Sequence, residues 1–236
     1  MAAPTLRPAQ SHSEAFSGAV LAAGAVALFV GSIFYALLPW RLGLPATPAE
    51  RLPALSDVLS LAPQRLLLAG GWAFTGDCLL LAACIVLVRR RQLPRSDLDS
   101  IGWALLGVGV AIAMIFDPIT AVVFWPLAHG SDPQPFLAFK AWFDFLFGAA
   151  VIPFGMGGVA VFWTDSRCKS PLLPKILSFP GIAIFAASAL SGFAYVIGIL
   201  HLPLVIGFSV LFGRIPLAAL GLQIARSGQA VVASHL

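Results

Sequence analysis

Six stretches of the chain are apolar for long enough that water cannot be their solvent. They run over Ala15–Leu38, Leu66–Val88, Ile101–Trp125, Phe136–Trp163, Ile176–Leu200 and Leu202–Ala225. A helix of about 20 mostly apolar residues spans the roughly 30 Å hydrocarbon core of a bilayer. Inside that core each backbone amide must be satisfied within its own segment, so the runs have to be helices. Composition agrees, with 59% hydrophobic and 10% charged residues, against about 25% charged in an ordinary soluble domain. The expected fold is all-α, a polytopic transmembrane bundle of six helices.

Prolines and polar clusters mark the breaks between runs: Pro39, "RRRQLPRSDLDS", "HGSDPQP", "DSRCKSPLLPK" and "HLP". They divide the chain into an N-terminal tail 1–14, a membrane domain 15–226 with one sizeable loop at 39–64, and a C-terminal tail 227–236. The first run exceeds the 7–15 residues of a signal-peptide core and no small-x-small site follows it, so it is expected to stay as the first span. The short connection around His201 and Pro203 makes spans five and six antiparallel neighbours. Within the 39–64 loop, "ALSDVLSLA" has the pattern of a short amphipathic helix lying on the bilayer, although a plain connector is the simpler expectation.

The net charge of +4 reflects orientation rather than nucleic-acid binding. Arg7, Arg89, Arg90, Arg91, Arg95, Arg167, Lys169, Lys175 and Arg226 fall on one side of an alternating six-span topology. Arg41, Arg51 and Arg65 fall on the other. This bias puts both termini in the cytoplasm.

Five charges interrupt the apolar runs. Asp77 and Arg214 sit near the middle of spans two and six. Asp117 precedes Pro118 in the outer half of span three. Lys140 and Asp144 lie within the outer part of span four. Each such charge costs about 2.5–3.5 kcal/mol when set at a helix centre against lipid. Helical spacing instead places small residues on their faces: Gly70 and Ala73 beside Asp77, Ala218 and Gly221 beside Arg214, Gly148 and Gly155 beside Asp144. Such faces meet other helices. Matching depth predicts a bidentate Asp77–Arg214 pair, the geometry that suits a planar guanidinium. The i, i+4 spacing predicts a Lys140–Asp144 pair. Asp117 is then expected either to carry a proton or to face a water-filled pocket from the outer side.

Prolines add a second signal. Pro118, Pro153 and Pro216 lie inside spans, and each deprives one carbonyl of its helical donor. "IPFGMGG", 152–158, is a candidate for an outright break in span four, as in the broken helices of transporters.

The chemistry excluded is as informative. His12 and His235 lie in the tails, and His129 and His201 near span ends, so no histidine pair is placed for a haem. Lys140 is too shallow for a retinal Schiff base. No H-E-x-x-H, GxSxG or P-loop occurs. Cys78, Cys84 and Cys168 form no metal or disulfide spacing. No catalytic residue, cofactor or metal is implied. The candidate binding cluster is Asp77, Asp117, Lys140, Asp144 and Arg214.

The stretches "RLLLAGGWAFTGDCLLLAACIVLVRR", "FDFLFGAAVIPFGMGGVAVFW" and "SPLLPKIL" resemble an uncharacterised bacterial family of six-span membrane domains of unknown function. The resemblance implies a bacterial inner-membrane protein and brings no catalytic residues. The leading reading is that the buried charges are structural, or form a docking face for another membrane subunit. The alternatives are an outward-facing pocket for an ion, small solute or lipid headgroup, and a membrane enzyme acting on a lipid or quinone. In every case the bilayer is a partner and nucleic acid is not.

Overall fold

The computed structural model describes residues 8–36, 63–89, 97–168, 170–199 and 203–233. All regular structure among them is helical: α1 (Pro8–Ala36), α2 (Pro63–Val88), α3 (Asp97–Val122), α4 (Phe124–Ala128), α5 (Gln134–Arg167), α6 (Lys175–Val196) and α7 (Pro203–Ala233). Five of these, α1, α2, α3, α5 and α6, contain segments long and apolar enough to cross a membrane. The protein is therefore a polytopic membrane protein. The sixth expected span corresponds to α7, a helix of 31 residues that carries Arg214 and Arg226. The "ALSDVLSLA" segment lies outside the described residues.

The six long helices form a closed ring. α1 packs on α2, α2 on α3, α3 on α5, α5 on α6, α6 on α7, and α7 returns to α1. Register contacts show that each neighbour is antiparallel to the last. Gly18 of α1 lies against Ala225 of α7, whereas Ala22 meets Gly221. Gly24 meets Gly76 and Leu80 of α2, and Gly31 meets Ala69 and Ala73. Two rims result. The α2–α3 and α5–α6 connections lie at one, with Arg89, Arg167 and Lys175 nearby. At the other lies α4. The expected antiparallel contact of the last two spans is present, with Gly213 of α7 against Phe185 of α6.

Glycine is what lets the helices come this close. A Cβ on Gly221 would lie 2.6 Å from the Ala22 backbone nitrogen, and one on Gly24 would lie 2.9 Å from the Leu80 nitrogen. Backbone cannot yield as a side chain can, so these crossings exclude any larger residue. Lipid tails compete with apolar side chains on equal terms, which makes such close packing the main source of helix association in membranes.

Helix ends depart from expectation in places with local causes. The third span was expected to reach Trp125, but α3 stops at Val122 and α4 begins at Phe124. Pro126 has no N–H to bond the Val122 carbonyl, so a continuous helix would lose a rung there. The expected break at 152–158 does not form. α5 is continuous from Gln134 to Arg167 with Pro153 inside it, as are α3 around Pro118 and α7 around Pro216. α7 also runs to Ala233, into the stretch assigned to a tail.

At the basic rim, Asp165 closes the α5–α6 connection. Its Oδ1 accepts from the Leu172 N–H at 2.9 Å and its Oδ2 from the Leu173 N–H at 3.1 Å. Leu173 is thereby buried against the main core. Asp165→Ala removes an acceptor from two backbone donors and is expected to cost about 1.5–3 kcal/mol, measurable by reversible unfolding in mixed micelles. Gly221→Ala is expected to lower the melting temperature of the purified protein. Gly71→Ala, where an added Cβ meets nothing within 4 Å, is expected to leave it unchanged or raise it. Equal effects from the two glycine variants would count against the close-packed α1–α7 crossing.

Candidate functional site

The ring contains a half-open cavity of about 70 Å³. Its wall takes Ser32 from α1, Asp77 from α2, Asp117 from α3, Phe147 and Phe154 from α5, and Val210 and Arg214 from α7. No α6 residue lines it; that helix packs behind α5, where Gly155 meets Ala189 and Gly158 meets Phe185. Five helices thus converge on one space, and three of the five candidate charges face it.

Each charged side chain reaches the cavity for a local reason. On α2, Gly70 and Gly76 draw in α3 and α1 on either side, leaving Asp77 pointed between them. Gly70 itself lies against the Asp117 carbonyl and Ala121 of α3, which seats α3 on α2 about two helical turns from Asp77. On α7, Gly221 seats the helix against α1 and Gly213 faces Phe185, which turns Arg214 inward. All three are buried, with relative exposures of 1% for Asp77, 4% for Asp117 and 8% for Arg214.

The expected bidentate Asp77–Arg214 pair does not form. The Arg214 guanidinium carbon lies 4.4 Å from the centre of the Phe154 ring, a cation–π arrangement worth about 0.5–2 kcal/mol depending on desolvation. Among the described residues, Arg214 Nε and Nη1 have no hydrogen-bond partner, and neither has Asp77 Oδ2. Asp77 instead shares the pocket wall with Asp117, close enough for the two carboxyl groups to act on each other electrostatically. Both acids act electrostatically on Arg214. The centre is a triad of two acids and one base, and Asp117 belongs to it.

Three unpartnered polar atoms at one cavity are costly. An unmet buried donor or acceptor forfeits roughly 1–3 kcal/mol, and more when it is charged. Two unit charges of like sign about 4 Å apart repel by roughly 4 kcal/mol at an effective dielectric of about 20. The triad is thus incomplete as a purely structural device. Its residues line the pocket, while two N–H donors and a carboxyl oxygen among them stay buried without a partner. A cavity needs only about 10–15 Å³, by the same kind of measure, to admit one water, so this one holds several.

Lys140 and Asp144 stand apart from the triad. The Lys140 ammonium donates to Asp144 Oδ2, as the i, i+4 spacing requires. Both residues are buried, and neither lines the cavity. They precede Phe147, the first α5 residue in the cavity wall, by one to two helical turns. The pair neutralises itself within a single helix and needs no guest.

Between cavity and α4 rim stands a set of phenyl rings. Phe116 meets Phe147 edge-on at 6.0 Å and Phe143 at 5.0 Å. Phe143 meets Phe124 of α4 at 5.2 Å, and Phe124 meets Phe136 at 5.7 Å. Sequence reasoning treated these residues only as packing; nothing in their spacing distinguishes them from other phenylalanines. Ser32 and Phe154 were likewise missed, since neither is unusual in an apolar run. His129 makes a local contact, with its Nδ1 3.0 Å from the Trp125 carbonyl oxygen and its ring tilted by 40° against the Trp125 ring. His201 lies outside the described residues. Among those residues no group of three or more histidine, cysteine or acidic side chains is arranged to hold a metal ion.

Comparison with known proteins finds no matching family model, no matching curated protein and no matching solved structure. The site must therefore be interpreted from its own chemistry.

The separate pairing of Lys140 and Asp144 carries a prediction. Lys140→Met alone leaves a buried carboxyl without its cation and is expected to destabilise by about 3–5 kcal/mol. Lys140→Met with Asp144→Leu is expected to recover most of that loss. Denaturant unfolding of the single and double variants measures the difference, and additive losses would refute the self-neutralising pair.

Proposed function

We propose that the protein binds a small polar species within the membrane, in the cavity lined by Asp77, Asp117 and Arg214, as a transporter or as a binding protein. The observation that carries this reading is that Asp77, Asp117 and Arg214 line one pocket, and that two of these residues hold buried polar atoms, Asp77 Oδ2 with Arg214 Nε and Nη1, that the protein leaves without a hydrogen-bond partner. Intramembrane acids that face an internal cavity commonly mark ion or solute pathways. A structural core of the kind first expected would have its charges paired and its interior dry, as Lys140 and Asp144 do. The small size of the cavity favours an ion or a few waters over a lipid or quinone substrate.

In this reading α7 crosses the membrane as the sixth span. Both termini face the cytoplasm, because Arg89, Arg167, Lys175 and Arg226 gather at one rim while Arg65 stands near the other. The α4 rim then faces outward. The resemblance to uncharacterised bacterial six-span domains suits a multi-pass protein of the inner membrane.

A second reading has support in the Phe154–Arg214 contact, which stabilises the ring whatever the cavity holds. Substitution separates the two. Under the binding reading, the wild type shows a melting temperature that depends on pH and on sodium or potassium concentration, and Asp117→Asn retains the fold but loses that dependence. Under the structural reading, Asp77→Asn and Arg214→Gln each destabilise the protein, their combination restores stability, and Asp117→Asn leaves every ligand response intact. Thermal unfolding in detergent across a pH and salt grid distinguishes these patterns.

A further inference from the structure

The cavity has a charge count that identifies its guest more narrowly, an inference that rests on the binding reading above. With both acids ionised, Asp77, Asp117 and Arg214 sum to one negative charge in a space surrounded by phenyl rings and aliphatic side chains. Neutrality requires one monovalent cation. A metal cation of that charge needs a shell of several oxygen ligands, and the wall offers two carboxyl groups and the Ser32 hydroxyl. Arg214 would stand beside it and repel it. A proton needs no such shell. It needs a pair of carboxyl groups in one pocket, which is how Asp77 and Asp117 are placed.

We propose that Asp77 and Asp117 together bind one exchangeable proton, shared across their facing carboxyl groups and balanced by Arg214, and that this proton is the species the cavity handles. Binding forms one carboxyl O–H bond as a hydronium ion in the cavity gives up its proton and becomes water. Release reverses the step, with cavity water accepting the proton. Such a pair titrates as a unit, so the proton belongs to the dyad and to neither residue alone.

The surroundings contain few other groups able to move with pH. From α7 comes Arg214, which stays charged. From α2 comes Cys78, next in sequence to Asp77 and close enough to act on it electrostatically. α1 contributes Leu28 and Ser32 to the wall, and α5 contributes only apolar residues. Tyr195 of α6 packs behind Val151 and Val210. Lys140 and Asp144 are engaged with each other. The dyad is therefore the proton-exchanging centre of the cavity.

Infrared difference spectroscopy between acidic and alkaline buffers tests the assignment on the full-length protein in lipid nanodiscs. The expected result is a protonated-carboxyl stretch that appears on acidification and shifts in deuterated buffer. It is lost in both Asp77→Asn and Asp117→Asn, and displaced but kept in Asp117→Glu. The Lys140→Met, Asp144→Leu double variant keeps the wild-type band, which removes Asp144 as its source. Should the asparagine variants fail to fold, the displacement in Asp117→Glu decides the matter. A band that is insensitive to every substitution at Asp77 and Asp117 overturns the proton assignment. If sodium or potassium stabilises the wild type while no such band appears, the proton is wrong and the binding pocket stands. If neither cations nor pH act through Asp77 and Asp117, both readings fall.

Discussion

A charged group in hydrocarbon must find its compensation inside the protein, and the architecture follows from how that demand is met. The glycines set the helices close enough to form a ring, and the ring provides the only region where carboxylates and a guanidinium can escape the acyl chains. Gly70 against Asp117 and Gly221 against Ala22 show the link directly. The residues that bring helices together are neighbours, on the same helices, of the residues that need enclosure. Removing the close crossings would widen the ring and expose the charges to lipid. Removing the charges would leave a cavity in an otherwise apolar interior.

The two charge clusters solve the same problem differently. Lys140 and Asp144 achieve neutrality within one turn of one helix, which makes their arrangement independent of what surrounds α5. Asp77, Asp117 and Arg214 arrive from three helices and remain unbalanced by one charge. That imbalance is the physical basis for assigning activity to the triad and a supporting role to the pair.

Much of this was legible in the sequence. Long apolar runs announce helices with little ambiguity, and the positions of Asp77, Asp117, Lys140, Asp144 and Arg214 within them mark which faces turn inward. The i, i+4 pair could be predicted because a single helix fixes it. The Asp77–Arg214 pairing could not be derived correctly, because depth alone does not say which way side chains turn. Arg214 lies over the Phe154 ring, and Asp117 joins Asp77 in the same pocket wall. The proline signals were also misleading in part. Pro153 sits in an unbroken α5, whereas Pro126, with its effect on the Val122 carbonyl, ends α3. An apolar-run analysis weighs these prolines alike, and the difference arises from how neighbouring helices support the backbone on either side.

The edge-to-face phenyl rings between the cavity and α4 carry one further implication. Hydrocarbon rings offer no oxygen or nitrogen along which a chain of waters might assemble, so traffic through that quarter depends on side chains swinging aside. The tempo of exchange there would be governed by rotamer hopping among bulky neighbours and by the looseness of α4, not by acidity. Viscosity and temperature would then act on it more strongly than the composition of the bathing solution.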